Sequence, residues 1–263
     1  EDQWAMRLAR ALQLHDVGGG TSTGKRQRLG PREDGGYVVW IPTQHHKLCD
    51  VVWSYGVDTN VEFERQLAMR NAKVHLFDHT VMALPAHHPN FTFHREALGD
   101  EDIPGVSGTL NRHFAMLETT ERTQSGILLK MDVEGAEYSA LLGVDEGVLV
   151  RIDQICLELH WLLRSERGGS FQTKALALER MQKHFVLLHA HGNNYGDVGQ
   201  LGGCEIPDVL EVLLVNRRLL GALEVVPNMR QLPDPFLDAA NCAFIPDIKL
   251  DAPPFCMQSQ AAW

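Results

Sequence analysis

The stretch "GILLKMDVEGAEYSALLGV", residues 126–144, decides how this chain is read. An apolar run reaches Lys130 and Met131, and then Asp132, Glu134 and Glu137 arrive within six positions around Gly135. Acids at the end of a buried strand have a natural place in an open parallel sheet, whose ligands bind beyond the carboxyl ends of the strands near the point where the strand order reverses. Asp132 falls where this strand stops, so it is expected to face such a cleft. Glu134 and Glu137 carry a second reading, as carboxylates that open the next helix at the positive end of its dipole.

Outward from this stretch, strands and helices alternate. The spacing predicts strands at "DVVWSY" (50–55), "KVHLFD" (73–78), "NFTFHREAL" (90–98), "GILLKMD" (126–132), "IDQICLELHW" (152–161), "FVLLHAH" (185–191) and "VLEVLLVN" (209–216). Helices are predicted at "NVEFERQLAMRNA" (60–72), "TLNRHFAMLETT" (109–120), "GAEYSALLGV" (135–144) and "KALALERMQKH" (174–184). Such alternation implies right-handed crossovers and a mainly parallel, doubly wound sheet of Rossmann-like type. The last two strands leave no room for a helix between them, which predicts an antiparallel hairpin at one edge. Residues 1–49 are expected to form a helix and a segment covering the cleft, residues 50–226 the Rossmann-like domain, and residues 227–263 an irregular tail packed on it.

Composition narrows the function. With 263 residues, 44% of them hydrophobic, the chain can bury a large core. Its formal net charge of -10 argues against a surface that neutralises phosphates, so nucleic acid is not an expected partner. No apolar run approaches the roughly 20 residues of a membrane span, and "EDQWAMRLARALQLHDV" reads as an amphipathic helix. A start at Glu1 rather than Met is compatible with removal of an upstream targeting segment. The five cysteines, at 49, 156, 204, 242 and 256, form no C-x-x-C pair, so zinc-finger and thioredoxin readings fail. "GGTSTGK" (19–25) has Walker spacing, but Arg26 takes the Ser/Thr position and no buried strand precedes it. The chain has no nicotinamide-type glycine fingerprint.

Two further points suggest a nucleoside ligand. Gly56, in "SYGVDTN", lies between the first strand and its helix, and Asp78 ends the second strand about twenty residues beyond that turn. An acid there is placed to accept hydrogen bonds from ribose hydroxyls. Other strand ends offer Glu158 and His160 in "LELHW", and His191 and Asn193 in "HGNNYG".

These residues carry a resemblance. "LLKMDVEGAEYSALL" is similar to the fourth-strand signature of the FkbM-like methyltransferases, "LGPREDGGYVV" resembles their upstream D-G-G-Y segment, and "REALGDED" their A-L-G-D. "LELHW" resembles the family's fifth-strand end, and "HGNNYGDVG" followed by "IPDVLEVLLVN" is similar to elements of one branch, which includes eukaryotic methyltransferase-like proteins. The first turn departs from the usual D-x-G-A-N-x-G.

The resemblance implies a class I methyltransferase fold, S-adenosylmethionine as cofactor, and methylation of a hydroxyl oxygen on a small molecule or glycan. Expected cofactor residues are Ser54, Tyr55, Gly56, Val57, Asp78, His79, Leu98 and Asp132. Asp132, His160 and His191 are expected to serve catalysis. Asp132, Glu158 and His191 also offer oxygen and imidazole ligands to a divalent ion such as magnesium or manganese. A catalytically inactive fold that acts as a binding scaffold is the alternative.

Overall fold

Seven strands form the central sheet: β1 (Val51–Tyr55), β2 (Lys73–Phe77), β3 (Phe91–His94), β4 (Ile127–Met131), β5 (Ile152–Leu159), β6 (Phe185–Gly192) and β7 (Leu210–Asn216). Their order across the sheet is β6-β7-β5-β4-β1-β2-β3. Pairing is parallel from β5 to β3, and β7 runs antiparallel to both of its neighbours. These are the strands of a computed structural model that describes residues 1–18, 24–43, 48–118 and 126–258. The antiparallel pair expected at one edge is β6 with β7. The edge position belongs to β6, while β7 inserts between it and β5, and a small hairpin, Val198–Leu201 with Cys204–Pro207, joins the two.

Both faces of the sheet are covered, which is why its strands read as apolar runs rather than as alternating ones. Val51, Trp53, Tyr55, Leu129 and Met131 face one core. That core is closed by helices α1 (Asp2–Ala11), α3 (Leu110–Glu118), α4 (Glu137–Gly143) and α5 (Phe171–Gln182), and the Ser170 side chain caps α5 by accepting from the Thr173 amide at 3.2 Å. Val52, Val74 and Leu128 face the opposite core, under helix α2 (Glu62–Ala68).

On this second face a hairpin, Gly24–Leu29 with Tyr37–Pro42, takes the place a crossover helix would fill. Its Tyr37, Val39 and Trp40 are buried in the core, and the fully buried Gln154 of β5 bonds both the amide and the carbonyl of Trp40. The turn of that hairpin, residues 30–36, therefore lies over the carboxyl ends of the strands.

The Walker-like run falls mostly outside the described residues, and its Gly24 and Lys25 begin a strand of the hairpin. The first helix ends at Ala11, sooner than its sequence pattern suggests, because His15–Val17 pairs with Val225–Pro227. None of the five cysteines forms a disulfide. No described helix is long and apolar enough to cross a membrane.

Candidate active site

A cavity of about 980 Å³ opens at the carboxyl ends of β1, β2, β4 and β5. Its floor is the β1 turn. Gly56 has a φ of 72°, and a Cβ there would lie 1.7 Å from the backbone oxygen of Asp132. Only glycine accepts both the left-handed conformation and that approach. Lys130, buried in β4, donates to the Gly56 and Tyr55 carbonyls and so fastens the turn from below.

Asp78 holds the same turn from the side. Its Oδ2 accepts the amides of Val57 and Asp58 at 2.8 and 3.0 Å, and its Oδ1 accepts the amide and hydroxyl of Thr80 at 2.7 and 2.6 Å. Burial opposes ionisation of Asp78, but these donors outweigh it and lower its pKa to about 2.

The other end of the cavity is acidic. Asp132 Oδ2 accepts the Tyr37 hydroxyl at 3.0 Å and lies 3.6 Å from Lys130 Nζ. Burial disfavours its charge, yet Lys130, Glu158, His160 and Tyr37 together hold its pKa below the ordinary carboxylate value. Glu158 has the opposite fate: burial and the charges of Asp132 and Glu211 push its pKa well up. Asn193 Nδ2 donates to Glu158 Oε1 at 2.5 Å.

His160 Nε2 faces Glu158 at 3.6 Å and both Asp132 and Glu134 at 3.7 Å. Behind the ring, Glu137 Oε1 sits 3.3 Å from Nδ1 and accepts the His160 amide at 2.7 Å, while Glu137 Oε2 accepts the Gly135 amide at 2.9 Å. Burial lowers the basicity of His160, and the carboxylates, led by Glu137, more than restore it, so its pKa is raised. Glu137 opens α4, but it is fully buried and serves as a bracket for His160 rather than as a solvated helix-terminal charge.

The structure sorts the residues expected from sequence. Gly56, Val57, Asp78, His79, Leu98, Asp132, Glu158 and His160 line the cavity. Ser54 and Tyr55 are buried beneath it, where the Ser54 hydroxyl donates to Glu64 and the Tyr55 hydroxyl meets His113 Nδ1, so their side chains do not reach a ligand in the cleft. His191 lies apart. Its Nδ1 is 3.1 Å from Glu211 and its Nε2 3.0 Å from Asp247. Asp132, Glu158 and His191 therefore do not converge; the group whose ligand atoms lie within 4.8 Å of one another is Asp132, Glu158 and His160. Sequence reasoning missed the roles of Lys130, Glu64 and Asn241. A lysine inside an otherwise apolar strand was the one available signal.

A seven-stranded sheet in this order, with its one reversed strand and its cleft at the β1 turn, defines the class I methyltransferase fold. The profile of the methyltransferase FkbM domain matches residues 42–195, more than half of the chain. The protein belongs to the FkbM methyltransferase family and is a methyltransferase. No curated protein sequence matches it.

Proposed function

We propose that the protein is an S-adenosylmethionine-dependent O-methyltransferase acting on a hydroxyl of a small molecule or glycan. The observation that carries this reading is the junction at Asp132: its backbone oxygen packs on the Gly56 turn, and its carboxylate belongs to the acid and imidazole cluster at the other end of the same cavity. A donor bound over Gly56 thus abuts a group able to take a proton.

The residues fit the cofactor. The Gly56 turn lines the cavity floor, and Val57, Asp78, His79 and Leu98 continue it along the cavity wall. Because Thr80 already occupies one oxygen of Asp78, a ribose hydroxyl would exchange with the rotatable Thr80 hydroxyl. When bound, S-adenosylmethionine supplies an electrophilic methyl group on a sulfonium. The chain's own tasks are then alignment and removal of the acceptor proton. His160 suits the second, with Nε2 toward the cavity and Glu137 bracketing Nδ1, an arrangement that stabilises an imidazolium as it forms. Trp161, Asn193 and Tyr195 line the same end and offer hydrogen-bonding and ring surfaces suited to a polyhydroxyl acceptor.

A second, metal-assisted reading is favoured by the convergence of Asp132, Glu158 and His160. Calorimetry with S-adenosylmethionine and S-adenosylhomocysteine tests the proposal. Both should bind, and Asp78→Ala should weaken binding by about tenfold or more, since hydrogen bonds to a charged group contribute about 1.5–3 kcal/mol each. Absence of binding by the wild-type protein overturns it, whereas binding without turnover on any hydroxyl acceptor supports the scaffold alternative.

A further inference from the structure

Two acids open helix α2, and they have different surroundings. Glu62 pairs with Arg65 at the surface, whereas Glu64 turns inward and lines the cavity beside the Gly56 turn. Glu64 is only 2% exposed. Its donors are the Ser54 hydroxyl, which reaches Oε1 at 2.5 Å, and its own amide.

Among the described residues no cation stands within ion-pair distance of this carboxylate. Arg65 is taken by Glu62, and Lys130 Nζ donates to the carbonyls of Tyr55 and Gly56 and lies 3.6 Å from Asp132. A buried carboxylate that has only neutral donors is incompletely solvated. Burial accordingly raises the pKa of Glu64, and the more distant charge of Lys130 and the Ser54 hydroxyl offset only part of the rise. A cation delivered from the cavity would complete the site.

The ligand proposed for this cavity carries two cationic centres, a sulfonium at the reacting carbon and an ammonium on the amino acid tail. The sulfonium belongs at the Asp132 and His160 end, where the methyl group meets its acceptor, and the ribose belongs at Asp78. Glu64 is on neither side. It approaches Ser54, at the end of β1, from the helix that follows the turn. The part of the ligand left for it is the tail.

We propose that Glu64, held in place by the Ser54 hydroxyl, anchors the α-ammonium group of the donor's amino acid tail. The assignment rests on the donor reading under "Proposed function" and adds to it the residue that selects a tailed nucleoside over one without the amino group. Ser54, whose side chain does not reach the cleft, then acts on the ligand through Glu64.

The experiment is calorimetry on the full chain with S-adenosylmethionine, S-adenosylhomocysteine, and the analogue of the latter in which hydrogen replaces the α-amino group. Wild-type protein should bind the analogue about tenfold or more weakly than S-adenosylhomocysteine, the usual effect of losing a charge-assisted hydrogen bond. Glu64→Gln keeps an oxygen for Ser54 and removes a buried charge, so without ligand it should melt no lower than the wild type. It should lose about tenfold or more in affinity for the two natural ligands and stay within about twofold of the wild type for the analogue. Equal wild-type affinity for S-adenosylhomocysteine and its analogue overturns the assignment without any variant. So does unchanged affinity of Glu64→Gln for S-adenosylhomocysteine. An equal loss for all three ligands would make Glu64 a support of the turn, and a loss confined to S-adenosylmethionine would place it at the sulfonium; either result overturns the assignment. Wild-type protein that binds none of the three overturns the donor reading itself, and the assignment falls with it.

Discussion

At the end of the cleft proposed for the donor, positions are set by main chain: the Gly56 turn rests on the Asp132 carbonyl, and Asp78 grips the amides of Val57 and Asp58. At the end proposed for the acceptor they are set by side chains drawn from distant segments, with Tyr37 from the hairpin, Glu158 and His160 from the end of β5, Asn193 beyond β6 and Asn241 from the C-terminal segment. Backbone geometry tolerates little substitution. Side-chain contacts tolerate exchange one at a time, with chemistry changing before the fold does.

The sharpest way to break this contrast is Gly56→Ala. The methyl group would overlap the Asp132 oxygen in a residue already at positive φ, so a loss of about 3 kcal/mol or more in stability is expected, together with loss of cofactor binding. Chemical denaturation and calorimetry read both. Native stability with intact binding would show that the donor end is softer than its geometry implies.

His160→Gln should instead leave cofactor affinity nearly unchanged while lowering turnover by about 100-fold. Since the His160 pKa is raised and a base acts when deprotonated, wild-type turnover should climb with pH through a value above that of an ordinary imidazole. A variant that turns over at the wild-type rate removes His160 from the chemistry.

At His191 the expected effect is on stability alone, with no change in chemistry. Burial works against its charge, but hydrogen bonds to Asp247 and Glu211 outweigh burial and raise its pKa to about 10. Its contribution to stability is complete below about pH 6.5, the value in an unfolded chain, and is lost as pH rises through about 10. Between those limits stability should fall by about 1.4 kcal/mol per pH unit. Thermal melts from pH 7 to 10 should show this slope in the wild type and a flatter one in His191→Gln. Equal slopes would mean that the ring is not charged in the fold.

How much of this was legible in the sequence follows the same division. Strands β1, β2, β4 and β5 are apolar runs of five to eight residues, buried on both faces, and periodicity locates them. Gly56, Asp78 and Asp132 follow directly from strand ends, because the donor end is built from consecutive strand–turn–helix units. His160 and Glu158 were legible as strand-end residues, but their partners were not: Glu137 lies across a helix start, and Asn241 sits in a segment without periodicity. His191 was placed on the same rim because β6 ends there. Strand β7 intervenes between β6 and β5, carrying Glu211 into the space His191 faces, and no local signal announces that insertion. The Gly24–Pro42 hairpin was likewise hidden, since its helix-replacing position depends on contacts with Gln154 and Cys156 more than a hundred residues away.

The carbonyl of Asp132 under Gly56 has a consequence for how acceptor choice can diverge. Asp132 cannot shift its main chain without lifting the turn proposed to receive the donor, so β4 is closed to variation even though it borders the proposed acceptor end. Retargeting the protein to a different acceptor has to proceed through residues that border the cavity without bearing on that turn, such as Glu33, Trp161, Tyr195 and Asp197. Libraries confined to these positions should yield altered selectivity in folded, donor-competent proteins far more often than libraries that include residues 130–132.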